Sequence, residues 1–376
     1  SIILNQPNGG ESWLKGTTQQ IKWTPTGTYN GNVKLEYYNE SIVNWTQITN
    51  IAAGTDNTTQ IYNWSIPDAI SDLVKVRVTT LVNSTIDVTD ESDSTFNITG
   101  SVEVTSPNGQ PREIWYYGDT IRQIKWNAIG TVTPIKIEYS TNNGGIWTAL
   151  TSNYTGVEGT TNTYNWSSIP DRNSEACLVK VSDARAAFTS VNDTSNATFS
   201  IRPNLWVITP TSGNNLIANS LAPINWDYTG SQITTVNIEY TTNNGINWTS
   251  IENNVPVASK STYTWKDGVP AVATAQGRVR IYDSANANVN NTSVATFNII
   301  GNVTVTSPNG NENFPVGTTQ YIFWSSSAVN QMNVSYSLNN GGAWTSLAVV
   351  GASGGNYTWN IPDDFTISNQ AKVKVH

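Results

Sequence analysis

A fourfold internal repeat of about one hundred residues constrains this chain more than anything else in its sequence. Four segments open alike: Ile3-Leu4-Asn5-Gln6-Pro7-Asn8-Gly9, Val104-Thr105-Ser106-Pro107-Asn108-Gly109, Val207-Ile208-Thr209-Pro210-Thr211-Ser212-Gly213 and Val305-Thr306-Ser307-Pro308-Asn309-Gly310. About fifteen residues later each carries an Ile-x-Trp signature: Ile21-Lys22-Trp23, Ile124-Lys125-Trp126, Ile224-Asn225-Trp226 and Ile322-Phe323-Trp324. Two further tryptophans keep register, at Trp45, Trp147, Trp248 and Trp344 and at Trp64, Trp166, Trp265 and Trp359. Twelve of the fifteen tryptophans are therefore repeat landmarks. A unit this long is one small domain with its own core, not a short solenoid repeat.

Inside each repeat the hydrophobic period is two. Val33-Lys34-Leu35-Glu36-Tyr37, Val74-Lys75-Val76-Arg77-Val78 and Ile135-Lys136-Ile137-Glu138-Tyr139 alternate apolar with charged residues, as half-buried strands do. Asn-Gly pairs at Asn143-Gly144 and Asn244-Gly245 suit tight hairpins, because both residues tolerate positive φ. Ile66-Pro67-Asp68, Ile169-Pro170-Asp171 and Ile361-Pro362-Asp363 end another strand, since proline cannot donate to a ladder. The pattern predicts an all-β chain of four tandem immunoglobulin-like β-sandwich domains with about seven strands each. In the first repeat those strands start near Ser1, Thr18, Asn32, Asn44, Gln60, Leu73 and Ser94. The expected domains are 1–100, 101–202, 203–300 and 301–376, joined by two or three residues at Gly100-Ser101, Arg202-Pro203-Asn204 and Gly301-Asn302. Joints this short suggest a semi-rigid rod. At about 3.3 Å per residue along a strand, four domains end to end would reach on the order of 100 Å.

The first three repeats close on Thr95-Phe96-Asn97-Ile98, Thr198-Phe199-Ser200-Ile201 and Thr296-Phe297-Asn298-Ile299. The fourth stops one strand earlier, at Lys374-Val375-His376, so an incomplete fourth sandwich with an apolar slot is expected. Either the natural chain continues, or another subunit donates a strand; no spare strand precedes Ser1 to serve as donor.

The ordered landmarks Pro-Asn-Gly, Ile-x-Trp and Tyr-x-Trp-x-Ile-Pro resemble the Kre9/Knh-type domain, an immunoglobulin- or fibronectin-like module of fungal cell-wall proteins, and the related repeats of large microbial surface proteins. The resemblance spans all four repeats and implies a secreted or cell-surface structural module. Repeat three departs most, with Thr211-Ser212-Gly213 and Lys266-Asp267-Gly268-Val269-Pro270 at two of the turns. Ser140-Thr141-Asn142-Asn143-Gly144-Gly145-Ile146-Trp147 is similar to the Asp-box hairpin of sialidase-type propellers, with Asn in the Asp place, and reads as a turn whose Trp packs on the sheet.

Chemistry is sparse. The one histidine, His376, leaves no Ser-His-Asp triad or multi-histidine metal site within these residues. Cys177 is the one cysteine, so no internal disulfide forms, and its apolar neighbours place it in a buried strand. Glu36, Glu138 and Glu239 recur on one strand, but their alternation with apolar residues puts them toward water; the fourth repeat has Ser335 there. The net charge of -8 and pI of 4.7 offer no basic stripe for nucleic acid, and no apolar run is long enough to span a membrane. The chain starts at Ser1 without a signal peptide, which fits a removed signal or an internal piece of a longer protein.

The remaining candidates are ligand sites. Asp87, Asp90, Glu91 and Asp93 form the one acidic cluster, a candidate for calcium, against the plainer reading of a solvated loop. Glycosylation sequons fall on predicted loops at Asn57, Asn83, Asn153, Asn192, Asn196, Asn290 and Asn291. The consecutive aromatics Trp115, Tyr116 and Tyr117 must partly face out and are sugar-binding candidates; Trp206 is a lesser one. Together these features suggest a non-enzymatic extracellular structural protein (a stalk, sheath, surface layer or filament subunit) that self-associates or meets other surface components. The alternatives are an adhesion or carbohydrate-binding module and the accessory repeats of a larger secreted enzyme.

Overall fold

The structure, a computed structural model, describes residues 1–27, 31–40, 44–81, 87–109, 111–257 and 261–376. The first repeat contains β1 (Ile2–Gln6), β2 (Ser12–Leu14), β3 (Thr18–Pro25), β4 (Asn32–Tyr38), β5 (Thr46–Ala52), β6 (Gln60–Ser65), β7 (Ser71–Leu81), β8 (Thr89–Glu91) and β9 (Phe96–Thr99). Seven of these answer to the expected strands. β2 and β8 are three residues long, too short to show a period of two. They build one three-stranded sheet, β1-β3-β6, and one larger sheet, β2-β9-β7-β4-β5, with β8 paired to β7. Repeats two and three have the same pair of sheets, so the fold is an all-β, immunoglobulin-like sandwich used in tandem.

The two sheets meet on the apolar phase of their strands. In the first repeat Ile21, Trp23, Val33, Leu35, Val76 and Val78 are at most 1% exposed. The Ile-x-Trp tryptophans of all four repeats lie in this core, as do Trp64, Trp166, Trp265 and Trp359. Trp23 Nε1 donates to the Ala53 carbonyl at 3.1 Å, which satisfies its one polar atom.

The chain divides into two compact units, Ser1–Arg202 and Pro203–His376. Within the first, the junction between repeats is built rather than loose. Asp68 accepts hydrogen bonds from Thr131 N (2.9 Å) and Thr131 Oγ1 (2.5 Å), Lys15 pairs with Glu158, and Ile70 packs on the core of repeat two. Within the second, Asn219 Nδ2 donates to Ser327 Oγ at 2.8 Å and Ala328 packs on the core of repeat three. Both junctions pass through a glycine. A Cβ at Gly100 would stand 2.6 Å from the Ile129 carbonyl oxygen, and one at Gly301 2.8 Å from that of Ala328, so only glycine allows the approach.

The fourth repeat has the three-stranded sheet Asn302–Ser307, Thr319–Ser327 and Asn356–Asn360. Its second sheet is cut to three strands, Thr345–Gly351, Gln331–Ser337 and Lys372–Val375. Among the described residues it has no counterpart of β9, as expected, and none of β2 or β8 either. Its core holds eight buried hydrophobic residues, against sixteen in the first repeat.

Candidate functional site

A concavity lies where the fourth repeat has no counterpart of β9 among the described residues. It is a groove of ≈ 810 Å³ walled by Phe314, Tyr336, Trp359, Phe365, Ala371 and Val373. Its sides are organised. Glu312 accepts from Asn309 N (2.7 Å) and Gly310 N (2.6 Å), as Glu11 does from Asn8 and Gly9 ahead of β2. These backbone hydrogen bonds hold the Glu312 carboxyl below its ordinary range. On the opposite side, Ser368 Oγ donates to the Leu338 carbonyl (2.6 Å) and accepts from Gln370 N (2.9 Å). Ser174 and Thr274 make the same two contacts at the start of the β7 counterparts, Ser174–Asp183 and Thr274–Asp283.

A second recurrent feature corrects an expectation. Glu36 and Glu138 do not stand in water: they are 5% and 7% exposed. Their phase is the outer one, but that face is covered. Glu36 binds Arg77 at 2.6 Å and Lys34 at 3.1 Å, and Trp45 lies 4.4 Å over the Arg77 guanidinium. Glu138, Lys180 and Trp147 repeat the stack, as do Glu239, Arg280 and Trp248. In the fourth repeat Lys374 lies under Trp344, and Ser335 replaces the carboxylate. Each Glu–cation pair is directly cross-strand, where opposite charges stabilise a sheet. This second tryptophan of each repeat is thus a surface lid on the sheet, while the other two are core.

Burial pushes the Glu36 and Glu138 carboxyls up, but hydrogen bonds and charge from Arg77 and Lys34, and from Lys136 and Lys180, outweigh it and hold both below the ordinary value of 4.5. A carboxylate with a lowered folded pKa adds stability that is present above its unfolded pKa and lost as pH falls through the folded one. Stability of the first two repeats is therefore expected to fall as pH drops below about 4.5. The double variant Glu36→Gln, Glu138→Gln should show a shallower acid limb in denaturation; an unchanged slope would refute this assignment.

The Asn-Gly hairpin forms as its sequence suggests. Asn142 Oδ1 accepts from Ile146 N (2.8 Å) and Ser140 Oγ (2.8 Å), so an amide oxygen takes the place of the Asp-box carboxylate. Thr241 with Asn243 and Ser337 with Asn339 repeat it.

The calcium candidates are not convergent. Asp90 Oδ2 accepts from Leu4 N (2.7 Å), Glu91 pairs with Lys75 (2.9 Å), Asp93 Oδ2 accepts from Asn8 Nδ2 (2.7 Å) and Asp87 is exposed. The Asp90 contact is structural and recurrent: Asp193 and Asn291 receive Val104 N and Val207 N in the same way. Among the described residues no group of three or more His, Cys, Asp or Glu is placed to hold a metal.

Of the sugar-binding candidates, Trp115 is a correction: it is 2% exposed and packs on Phe199 and Trp166 at 4.6 and 5.7 Å between ring centroids. It sits on the β2 counterpart Ile114–Tyr116, a three-residue strand whose central side chain points inward. Tyr116 is half-buried, Tyr117 is 37% exposed and Trp206 is half-buried. The sequon residues Asn57, Asn153, Asn192, Asn196 and Asn290 are exposed, Asn291 is half-buried, and Asn83 lies outside the described residues. Cys177 is fully buried, which raises its thiol pKa.

One surface the sequence reading missed is on the fourth repeat. Tyr321 and Phe323 project from the outer face of Thr319–Ser327, 49% and 42% exposed, with ring centroids 6.0 Å apart and planes 30° apart. Repeats one and two have Gln20 and Lys22, and Gln123 and Lys125, at these positions. Aligning the four Ile-x-Trp signatures, in which Phe323 alone is aromatic at the middle place, is the signal that finds it.

No family model matches the chain, and no curated protein matches it. Among solved structures it is similar to the N-terminal four Ig domains of Dscam1 isoform 6.44, with 9% identity, coverage of 100% of this chain and 95% of that one, and a TM-score of 0.24. It is similar also to fibronectin(III)-like modules of Clostridium thermocellum CbhA, with 16% identity, coverage of 54% and 94%, and a TM-score of 0.20.

Proposed function

We propose that this chain is a non-enzymatic structural component of a cell surface, in which sandwich domains joined by fixed junctions act as spacer or assembly subunits. The observation that carries this reading is the junction itself. Two repeats locked by Asp68–Thr131 hydrogen bonds, an ion pair and a buried Ile70 transmit position from one domain to the next; a linker between independent binding modules needs none of these. The Kre9/Knh-type resemblance supports the same reading.

Two measurements test it. Immunogold or tomographic imaging of native cells should find the protein in a regular surface arrangement; a monomeric protein with no such arrangement counts against the assembly role. At the junction, Asp68→Ala is expected to loosen the contact by about 1–2 kcal/mol, after allowing for solvent screening of an exposed carboxylate. Exchange of the Thr131 amide should then be roughly tenfold faster; an unchanged rate would show that the junction does not depend on Asp68.

A second reading, carbohydrate adhesion, moves from Trp115 to Tyr321 and Phe323. Two exposed ring faces bordered by the exposed Asn356 and Thr358 form an uncharged platform suited to stacking on a neutral sugar. Glycan-array binding that vanishes in Tyr321→Gln, Phe323→Lys would support it, and those residues already occur at the corresponding places of the first repeat. An array without signal sinks it.

A further inference from the structure

The two exposed rings of the fourth repeat stand directly across a strand pair from a glycosylation sequon. Asn356-Tyr357-Thr358 has the Asn-x-Thr spacing. It lies on Asn356–Asn360, which pairs antiparallel with Thr319–Ser327, so that Phe323 is opposite Asn356 and Tyr321 opposite Thr358. Trp324 N donates to the Gly355 carbonyl (3.0 Å) and Ile361 N to the Thr318 carbonyl (2.9 Å), which marks the hydrogen-bonded pairs of this ladder. By alternation, Phe323–Asn356 and Tyr321–Thr358 are the other kind of pair, in which facing side chains come closest. All four residues are exposed, and none of them lines the groove of the same repeat.

This juxtaposition belongs to the fourth repeat. Aligned on Trp359, the first three repeats have Ile61, Thr163 and Thr262 in place of Asn356. Aligned on Trp324, they have Gln20 and Lys22, Gln123 and Lys125, and Pro223 and Asn225 in place of the rings. Repeats one and two carry sequons two residues later, at Asn63 and Asn165, opposite Gln20 and Gln123. There the Asn165 side chain accepts from Gln123 Nε2 (3.3 Å). Sequon and rings therefore change together. The C–H face of a pyranose packs on an aromatic ring, and Thr319, Ser325 and Asn360 continue this exposed face without a charge. Asn356–Asn360 is also the outermost strand of its three-stranded sheet among the described residues. An exposed edge beside an apolar pair invites association, and a bulky hydrophilic cover blocks it.

We infer that Asn356 carries an N-linked glycan whose first sugar lies against Phe323 and Tyr321. The donor is a lipid-phosphate-linked oligosaccharide. Asn356 Nδ2 gives a proton to a base of the transferring enzyme and bonds to the anomeric carbon of the donor. The bond from that carbon to the phosphate oxygen breaks, and the lipid phosphate leaves with the electron pair. The inference rests on the sugar-stacking platform of the carbohydrate-adhesion reading, but makes its occupant the chain's own glycan.

The test is glycopeptide mass spectrometry of the protein purified from its native cells, followed by NMR of the attached sugar. The peptide containing Asn356 is expected to carry an oligosaccharide that Asn356→Gln lacks. Ring currents should move C–H protons of the first sugar upfield, and Overhauser contacts should join that sugar to both rings in the unaltered protein. In Tyr321→Gln, Phe323→Lys, which leaves the sequon whole, the glycan should remain and the upfield shift should vanish. An unmodified Asn356, a sugar without contacts to the rings, or shifts unchanged in the double variant overturns the proposal. Glycan-array binding separates it from the adhesion reading. No array signal from protein bearing sugar on Asn356 sinks adhesion and leaves this proposal standing; a signal from native protein with a bare Asn356 does the reverse.

Discussion

Trp115→Ala is expected to destabilise the second repeat by about 3–5 kcal/mol, the range for deleting a buried large aromatic. The indole is 2% exposed and wedged between Phe199 and Trp166, and its Nε1 donates to Glu113 at 3.2 Å. Truncation leaves a cavity beneath the short strand Ile114–Tyr116, whose hold on the sheet is its parallel pairing with Phe199–Arg202. Native-state hydrogen exchange resolves this repeat from its neighbours, which a single melting curve over four domains does not. Protection across Ile124, Ile137 and Val181 should drop together. A loss below about 1 kcal/mol would mean a surface residue, and the sugar-binding reading of Trp115 would return.

Phe297→Ala is expected to have a comparable effect on the third repeat, about 3–5 kcal/mol. Phe297 is 1% exposed, lies over Gly277, and anchors the closing strand Phe297–Ile300. Because that strand also carries the short strand Asn215–Ile217, both should lose exchange protection ahead of the rest, leaving the third repeat resembling the fourth. If protection instead fell evenly over the whole repeat, the closing strand would not be a separable element.

Both predictions turn on a difference in what the sequence makes visible. Ile-x-Trp and Val33-Lys34-Leu35 announce strands because alternation is local, and a half-buried strand needs only one face to be apolar. The strands Ser12–Leu14 and Thr89–Glu91 are illegible because three residues carry barely one period; pairing with residues 97–99, far along the chain, creates the first, and pairing with residues 77–79 creates the second. Trp115 was misassigned for the same reason. Three aromatics in a row give no phase, and only the pairing of Trp115 with Ile201 decides which of them points inward.

The buried glutamates show the converse. Alternation assigned Glu36 and Glu138 to the outer face, and it was right about the face. What covers that face is a tryptophan from the next strand's approach, folded back over a cation on β7 or its counterpart; the register of three strands settles that, and no local pattern encodes it. The dispersal of Asp87, Asp90, Glu91 and Asp93 is similar. Asp90 and Glu91 are neighbours on the strand Thr89–Glu91 and face opposite ways, toward Leu4 N and Lys75, while Asp87 and Asp93 lie outside that strand.

The fourfold repeat by itself determined that this protein is built of four immunoglobulin-like units, because each unit's alternation and turns are local and occur four times. The number of units with a finished core was also legible, as a Phe-x-Ile strand counted three times. Tertiary structure alone decided that the unfinished unit keeps a shaped groove with its Glu312 turn and Ser368 anchor in place. Those hydrogen bonds lie within the walls and do not require the strand that the walls would hold.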